Sequence, residues 1–456
     1  MKKNLLFLNL LIIANISFSQ HKLNGNWQGI SDDKRYVFRF TNETSFLDTP
    51  DEGWMNIPIS NLTKDSGSFS MELPHISASY KGKFVDEKKI EGTFNYQGKE
   101  FKLDIERILR IPRIPKSVFK QKESSDNQPI KKASFEETNI DPTDLKVVID
   151  EARRYQYLHS LLIVKNGKFI SENYFGDLDK NTMFNIKSIN KSILSALIGI
   201  AIKEGFIKNV NELVLDILND VTIKNDVTAK KELTIKHLLT MQSGLDYSEM
   251  SYPFGSDPVF NSDNWVEATL NLPLKNKPGT IKNYATPNTH LLSAILTKRT
   301  KMSTLEFANK YLFKPLGVEG VYWSKDPNGI HFGGSEMHLT SIDLAKFGLL
   351  YLNNGKYNGQ QIIAEDWIKE SMKNYIEKEN IKWYETYGYL WYPRQFGKHS
   401  TYQAAGVGGQ FLIILPKHEL IIITTANANS MVGTKENERN LSDFIINKVI
   451  PVLINE

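Results

Sequence analysis

The chain has 456 residues, 41% of them hydrophobic and 24% charged, with a formal net charge of +4 and no cysteine. That length exceeds one typical domain and supplies enough apolar side chains for a sizeable core. The charge is too balanced to suggest a nucleic-acid partner, and without cysteine there is no disulfide, thiolate metal site, cysteine nucleophile or lipid-modified N-terminal cysteine.

Residues 1–20 have the pattern of a secretory signal: Lys2 and Lys3, an apolar stretch from Leu5 to Ile16, then the small residues Ser17 and Ser19 before Gln20. Export to the periplasm or the medium is therefore expected. A retained N-terminal anchor is the alternative, and the short apolar stretch argues against it. Removing the signal takes away two lysines and no acid, which halves the formal charge. No later apolar run reaches the roughly 20 residues of a membrane span, the longest candidate being interrupted at Lys203 and Glu204.

From 21 to 110, short alternating stretches such as Tyr36 to Phe40, Ser77 to Val85, Ile90 to Tyr96 and Phe101 to Ile105 predict a small all-β domain. Asp48 to Pro58, with Trp54, reads as a loop, to which no chemistry is assigned. Residues 111–140, proline-containing at first and then polar and charged, read as a linker.

The remaining segment, 141–456, carries two hairpin signals far apart in sequence. Leu161 to Val164 and Phe169 to Tyr174 flank Asn166-Gly167, a pair suited to a tight turn. Phe411 to Leu415 and Leu420 to Ala426 flank Pro416 to Glu419. Joined in one antiparallel sheet, they predict an α+β fold: a sheet flanked by helices, a closing helix from Glu436 to Val449, and a largely helical insertion between about 205 and 400. No fixed-period repeat is present, which argues against solenoids and propellers.

Ser188 and Lys191 open an apolar run from Ile189 to Ile202 that a buried helix explains. Three residues along a helix place both side chains on one face. A serine hydroxyl needs a base, and a lysine amine serves only when it is neutral. A helix N-terminus and burial both disfavour the ammonium form, and N–H groups at that end can bind an oxyanion. The Ser-x-x-Lys pattern also occurs at Ser19/Lys22, Ser31/Lys34 and Ser117/Lys120, but only Ser188 begins a long hydrophobic helix. The alternative is a serine cap beside a snorkelling lysine.

Tyr284 precedes the turn Ala285-Thr286-Pro287-Asn288, ahead of a helical stretch from Leu291 to Thr300. Its phenol can relay protons if it faces a cleft; an aromatic plug at a loop base is the other reading. Ala404-Ala405-Gly406-Val407-Gly408-Gly409 runs into the strand Phe411 to Leu415. Small residues on an edge strand let a substrate backbone approach an N–H. A dinucleotide loop is discounted, because the third glycine is missing and a strand follows. His331 and His338, seven apart, read as structural rather than as metal ligands, and no metal is expected. There is no Gly-x-Ser-x-Gly elbow or phosphate-cradling loop. Tyr247, Tyr252, Trp265 and Trp391 are candidates to line an apolar cleft or to pack in the core.

The order Ser188/Lys191, Tyr284 and glycine-rich strand, with the flanking hairpins, resembles the serine β-lactamase and penicillin-binding superfamily. Its class C-like branch, with esterases, D-amino-acid peptidases and 6-aminohexanoate oligomer hydrolases, is the nearest in pattern. The resemblance extends to Phe184 through Ser192, Leu233 through Leu245, Asp343 through Gly348 and Tyr387 through Trp391. It implies Ser188 as acylated nucleophile, Lys191 and Tyr284 as the proton-transfer pair, and the N–H groups of Ser188 and Val407 as the oxyanion hole. Thr286 stands where Tyr-x-Asn enzymes carry an amide, keeping a hydroxyl to orient substrate. Ala404-Ala405-Gly406 replaces the Lys-Thr-Gly strand, removing the cation that would pair with a substrate carboxylate. The expectation is a cofactor-free serine hydrolase acting on a small ester or amide. A penicillin-interacting cell-wall peptidase or β-lactamase and a non-catalytic sensor on the same scaffold are the alternatives. Oligomeric state is not legible.

Overall fold

In the computed structural model the described residues are 23–65, 67–123, 128–134, 136–225, 227–249, 257–376, 385–430 and 432–455. The expected signal, 1–20, and Tyr252 lie outside them. Two compact units are distinguished: one runs to Phe119 and includes Asn427–Arg439, and the other comprises Lys120–Ala426 and Asn440–Glu456.

In the first unit, alternation along the strands turns Trp27, Phe38, Tyr80 and Phe94 onto one buried face. Among the described residues ten antiparallel strands, from Gly25–Ser31 to Ile105–Ile108, make one sheet. The strands at the two ends of its path, Trp54–Pro58 and Ser60–Asp65, are consecutive in the chain. The sheet is thus barrel-like, around an aromatic core.

The stretch read as a loop, Asp48 to Pro58, is instead a turn at Pro50–Glu52 followed by the strand Trp54–Pro58. Asp48 explains the difference. Its buried carboxylate accepts from Arg39 Nε at 2.7 Å and from the Asn56 N–H at 2.7 Å, which draws the returning chain into the sheet. The expected strand Phe101 to Ile105 is divided into Lys99–Lys102 and Ile105–Ile108. At the break, Asp104 accepts from the Gly92 N–H at 3.2 Å. Asn427–Arg439 joins this unit through Asn56 Nδ2, which donates to Ser430 Oγ at 2.6 Å and to the Val432 carbonyl at 3.0 Å.

Part of the expected linker, 111–140, is built into the second unit. Lys120–Gln121 pairs with Thr182–Asn185, and Lys132 bridges to Phe169. Lys122 Nζ lies 2.7 Å from the Asp343 carboxylate, with both side chains buried.

Six antiparallel strands form the main sheet of the second unit, in the order Lys168–Tyr174, Leu158–Lys165, Leu420–Ala426, Gln410–Leu415, His399–Gly406, Tyr392–Phe396. The two hairpins seen in the sequence meet through Leu158–Lys165 and Leu420–Ala426, with Ile163 opposite Ile422. Asn166 and Gly167 take φ of 50° and 74°, as the two-residue hairpin turn demands. Both faces are covered. Leu162, Leu412 and Ile423 pack with the helix Ile189–Lys203, while Leu161, Ile413 and Ile422 pack with Leu145, Leu441 and Phe444. Double-sided burial makes these strands read as continuous apolar runs.

The regular structure between 205 and 400 is largely helical, as expected, with a few short strands added. Besides helices such as Thr286–Thr300 and Ser341–Leu352, it supplies Tyr322–Trp323 and Met337–Thr340 to a small sheet with Thr182–Asn185. It also returns Tyr392–Phe396 to the edge of the main sheet. The closing helix runs Thr434–Phe444 and continues through Ile445–Val449 into Ile450–Ile454.

Candidate active site

Ser188 caps the helix Ile189–Lys203 by position, but its side chain makes no capping bond. Its Oγ accepts instead from Lys191 Nζ at 2.9 Å. This geometry decides against the simple cap. Lys191 is 2% exposed, so the side chain does not snorkel to water, and its Nζ also donates to the Gly334 carbonyl at 2.8 Å. Burial pushes the amine down to about 8, against the opposing pull of the Glu249 carboxylate. A fraction of the amine is therefore neutral near pH 7 while it points at a hydroxyl.

Tyr284 stands beside the same amine. Lys191 Nζ lies 5.1 Å from the centroid of the Tyr284 ring, and that ring meets Tyr387 edge-on at 6.3 Å. The expected turn at Pro287 is the first turn of the helix Thr286–Thr300, where a missing N–H costs nothing. Tyr284 and Ser188 thus both stand at helix entrances.

The third element is the end of the His399–Gly406 strand. Its ladder with Tyr392–Phe396 ends at Gln403 opposite Tyr392, so that strand leaves the edge of Ala404–Gly406 unpaired. Gly406 lies against the start of the helix: a Cβ there would sit 2.7 Å from the Ile186 carbonyl and 3.0 Å from the Ser188 nitrogen. Only glycine brings the chain this close. Val407 follows in the hairpin turn and is exposed.

Two expected site residues are placed differently. The Ala404 side chain is 1% exposed and belongs to the apolar cluster beneath the sheet, not to a substrate surface. Alternation along the strand turns it inward. Thr286 is occupied within the protein: its N–H donates to Glu249 Oε2 at 2.9 Å and its Oγ1 donates to Oε1. A carboxylate at a helix N-terminus satisfies otherwise orphaned N–H groups. Trp391 is core, with its ring 4.5 Å from Tyr351. Tyr247 is also buried, with its hydroxyl donating to Asp257. Trp265 packs edge-on with Phe260 at 4.9 Å. His331 and His338 are both held by burial at about 4.

Sequence reasoning missed Glu249, Gly334 and Lys282. Glu249 and Gly334 reach the site from distant segments without a motif. The Gly333-Gly334 pair was the available signal: a Cβ on Gly333 would lie 2.0 Å from the Thr289 carbonyl. Lys282 Nζ stands 4.8 Å from the Tyr387 ring centroid, and burial pushes it down to about 8.

The family model described as Beta-lactamase matches residues 159–443, more than half of the chain. An uncharacterized protein of Alkalihalophilus pseudofirmus is 24% identical over 323 residues, covering 62% of this chain and 87% of that protein. The 6-aminohexanoate-dimer hydrolase of Paenarthrobacter ureafaciens is 23% identical over 227 residues, 46% of this chain and 56% of that protein. Among solved structures, EstCE1, a hydrolase with promiscuous acyltransferase activity, superposes with a TM-score of 0.57 at 15% identity, covering 68% of this chain and 98% of that one. The octameric penicillin-binding protein homologue from Pyrococcus abyssi gives a TM-score of 0.54 at 20% identity, covering 69% and 77%.

Proposed function

The chain belongs to the Beta-lactamase family, and on that premise we propose that it is a serine hydrolase that cleaves a small ester or amide through an acyl-enzyme on Ser188. The observation that carries this reading is the 2.9 Å bond from a buried Lys191 amine to the Ser188 hydroxyl. In the proposed reaction the Ser188 oxygen attacks the substrate carbonyl while its proton passes to neutral Lys191. The N–H groups of Ser188 and Val407 receive the oxyanion. Tyr284 hands a proton to the departing alcohol or amine, and water then releases the acid by the reverse relay. No cofactor enters these steps.

Ala404-Ala405-Gly406 offers no cation to a substrate carboxylate, and Glu249 adds a negative charge felt at Lys191. Both favour neutral acyl groups over the carboxylate-bearing substrates of cell-wall peptidases. Export is part of the proposal and rests on residues 1–20. Among the described residues no helix is long and apolar enough to cross a membrane.

The test is labelling by a fluorophosphonate probe together with turnover of p-nitrophenyl esters, nitrocefin and D-aminoacyl amides. The wild type is expected to label and to cleave an ester, and Ser188→Ala to do neither. Turnover of nitrocefin and labelling by penicillin without esterase activity would transfer the assignment to the cell-wall enzymes. A protein that neither labels nor turns over any substrate is a binding protein on this scaffold. A finer check uses Glu249→Gln. Removing that anion takes away support for the Lys191 ammonium, so the acid limb of the kcat/KM profile is expected to move to lower pH. An unmoved or raised limb would exclude Lys191 as the titrating base.

A further inference from the structure

Two non-glycine residues beside the nucleophile hold left-handed backbone, Lys187 with φ 50° and Glu336 with φ 63°. An L-residue pays for that conformation through contact between its Cβ and its own backbone, so it persists only where neighbours hold it. Here they hold each other. The Asn185 side-chain oxygen accepts the Lys187 N–H at 3.0 Å, and Asn185 Nδ2 donates to Glu336 Oε2 at 2.8 Å. Lys187 Nζ lies 3.4 Å from Glu336 Oε1, which also accepts from Ser335 Oγ at 3.2 Å. Burial works against the Glu336 charge, yet Lys187 first among its neighbours keeps the carboxyl below the usual range.

Both ends of this clamp are pinned to one ladder. Asn185 pairs with His338, and the Ile186 N–H donates to the Met337 carbonyl at 3.0 Å. The loop leading into that strand also carries the Gly334 carbonyl that binds Lys191. The peptide unit between Lys187 and Ser188 contains the Ser188 N–H, so the Lys187 backbone sets where that N–H and the Ser188 side chain point. Gly406 rests on the same spot, since a Cβ there would lie 2.9 Å from the Lys187 Cβ.

We propose that Glu336 is a positioning residue: by clamping Lys187 in the left-handed conformation it aims the Ser188 N–H and Oγ at the reacting carbonyl. The inference rests on the reading of Ser188 as nucleophile. Misdirecting a reacting group should slow the chemical step without weakening ground-state binding. Glu336→Ala is therefore expected to lower kcat for a p-nitrophenyl ester at least about tenfold, with KM unchanged within about twofold. Glycine takes positive φ without being held, so the same replacement in a Lys187→Gly background is expected to cost less than about threefold.

Because Lys187→Gly also removes the partner of Glu336, Lys187→Met is the control: it removes the same pair but keeps a Cβ. The clamp predicts a loss like that of Glu336→Ala in Lys187→Met and not in Lys187→Gly, whereas a pair that merely stabilised the fold would give equal loss in both. Equal loss, or a Glu336→Ala variant within about twofold of wild type, overturns the clamp. Should Glu336→Ala fail to fold, Lys187→Met against Lys187→Gly decides the same question. A wild type that neither labels with fluorophosphonate nor turns over overturns the nucleophile and the clamp together. Labelling of the wild type with an unaffected Glu336→Ala overturns the clamp alone.

Discussion

Lys191→Met is expected to lower kcat/KM for an ester substrate by about a thousandfold or more while leaving the melting temperature unchanged or raised. Methionine is close to lysine in shape but cannot take the Ser188 proton. The buried amine has two acceptors, Ser188 Oγ and the Gly334 carbonyl, and its charged form is opposed by burial. Removing a desolvated cation relieves that cost, so activity and stability should move in different directions. Lys191→Arg should not restore activity, because a guanidinium stays charged and cannot serve as base. In the proposed mechanism neutral Lys191 is the active form, and burial lowers its pKa to about 8. The kcat/KM profile should therefore rise with pH below that value and level off above it. Steady-state kinetics across pH 5–10 on the wild type and both variants, with thermal melts, checks this. A Lys191→Met variant within about tenfold of wild type would remove lysine from the mechanism.

The contact of Ser188 with Lys191 at the start of a buried helix was legible because spacing and apolar context coincided there. Of the other Ser-x-x-Lys matches, Lys34 pairs with Glu52 on the surface of the first unit, and Ser117 sits in a short 3-10 turn. Of the matches among the described residues, only Ser188/Lys191 has its lysine buried in an apolar helix. The hairpins were equally plain, since Asn166-Gly167 encodes its own turn and the burial of both sheet faces shows as unbroken apolar runs. What failed to show is non-local. Lys120–Gln121 has no strand character of its own and becomes one by pairing with Thr182 and Met183. Glu249 reaches Thr286 from 37 residues away, so the hydroxyl read as a substrate contact is already engaged. Ala404 illustrates a different limit. A small residue before a glycine looks the same in sequence whether it faces a ligand or the core, and strand alternation settles which.

Gly406→Ala is expected to lower kcat by about a hundredfold or more with only a modest fall in melting temperature. The added methyl would stand 2.7 Å from the Ile186 carbonyl, 2.9 Å from the Lys187 Cβ and 3.0 Å from the Ser188 nitrogen. All three belong to the chain that sets up the helix entrance, so no flexible side chain can yield. Either the strand end or the Ser188 peptide unit must shift. The two proposed oxyanion donors lie on these two segments, and losing one such donor costs about 10²–10³ in rate. The strand itself remains anchored through Gly406 opposite Gln410 and Ala404 opposite Leu412, so the damage should stay local. The expected signature is a fall in kcat with fluorophosphonate labelling slowed in proportion, since both reactions build charge on the same oxygen. Full activity in Gly406→Ala would mean that the strand end does not supply the oxyanion site, and Val407 would lose its proposed role.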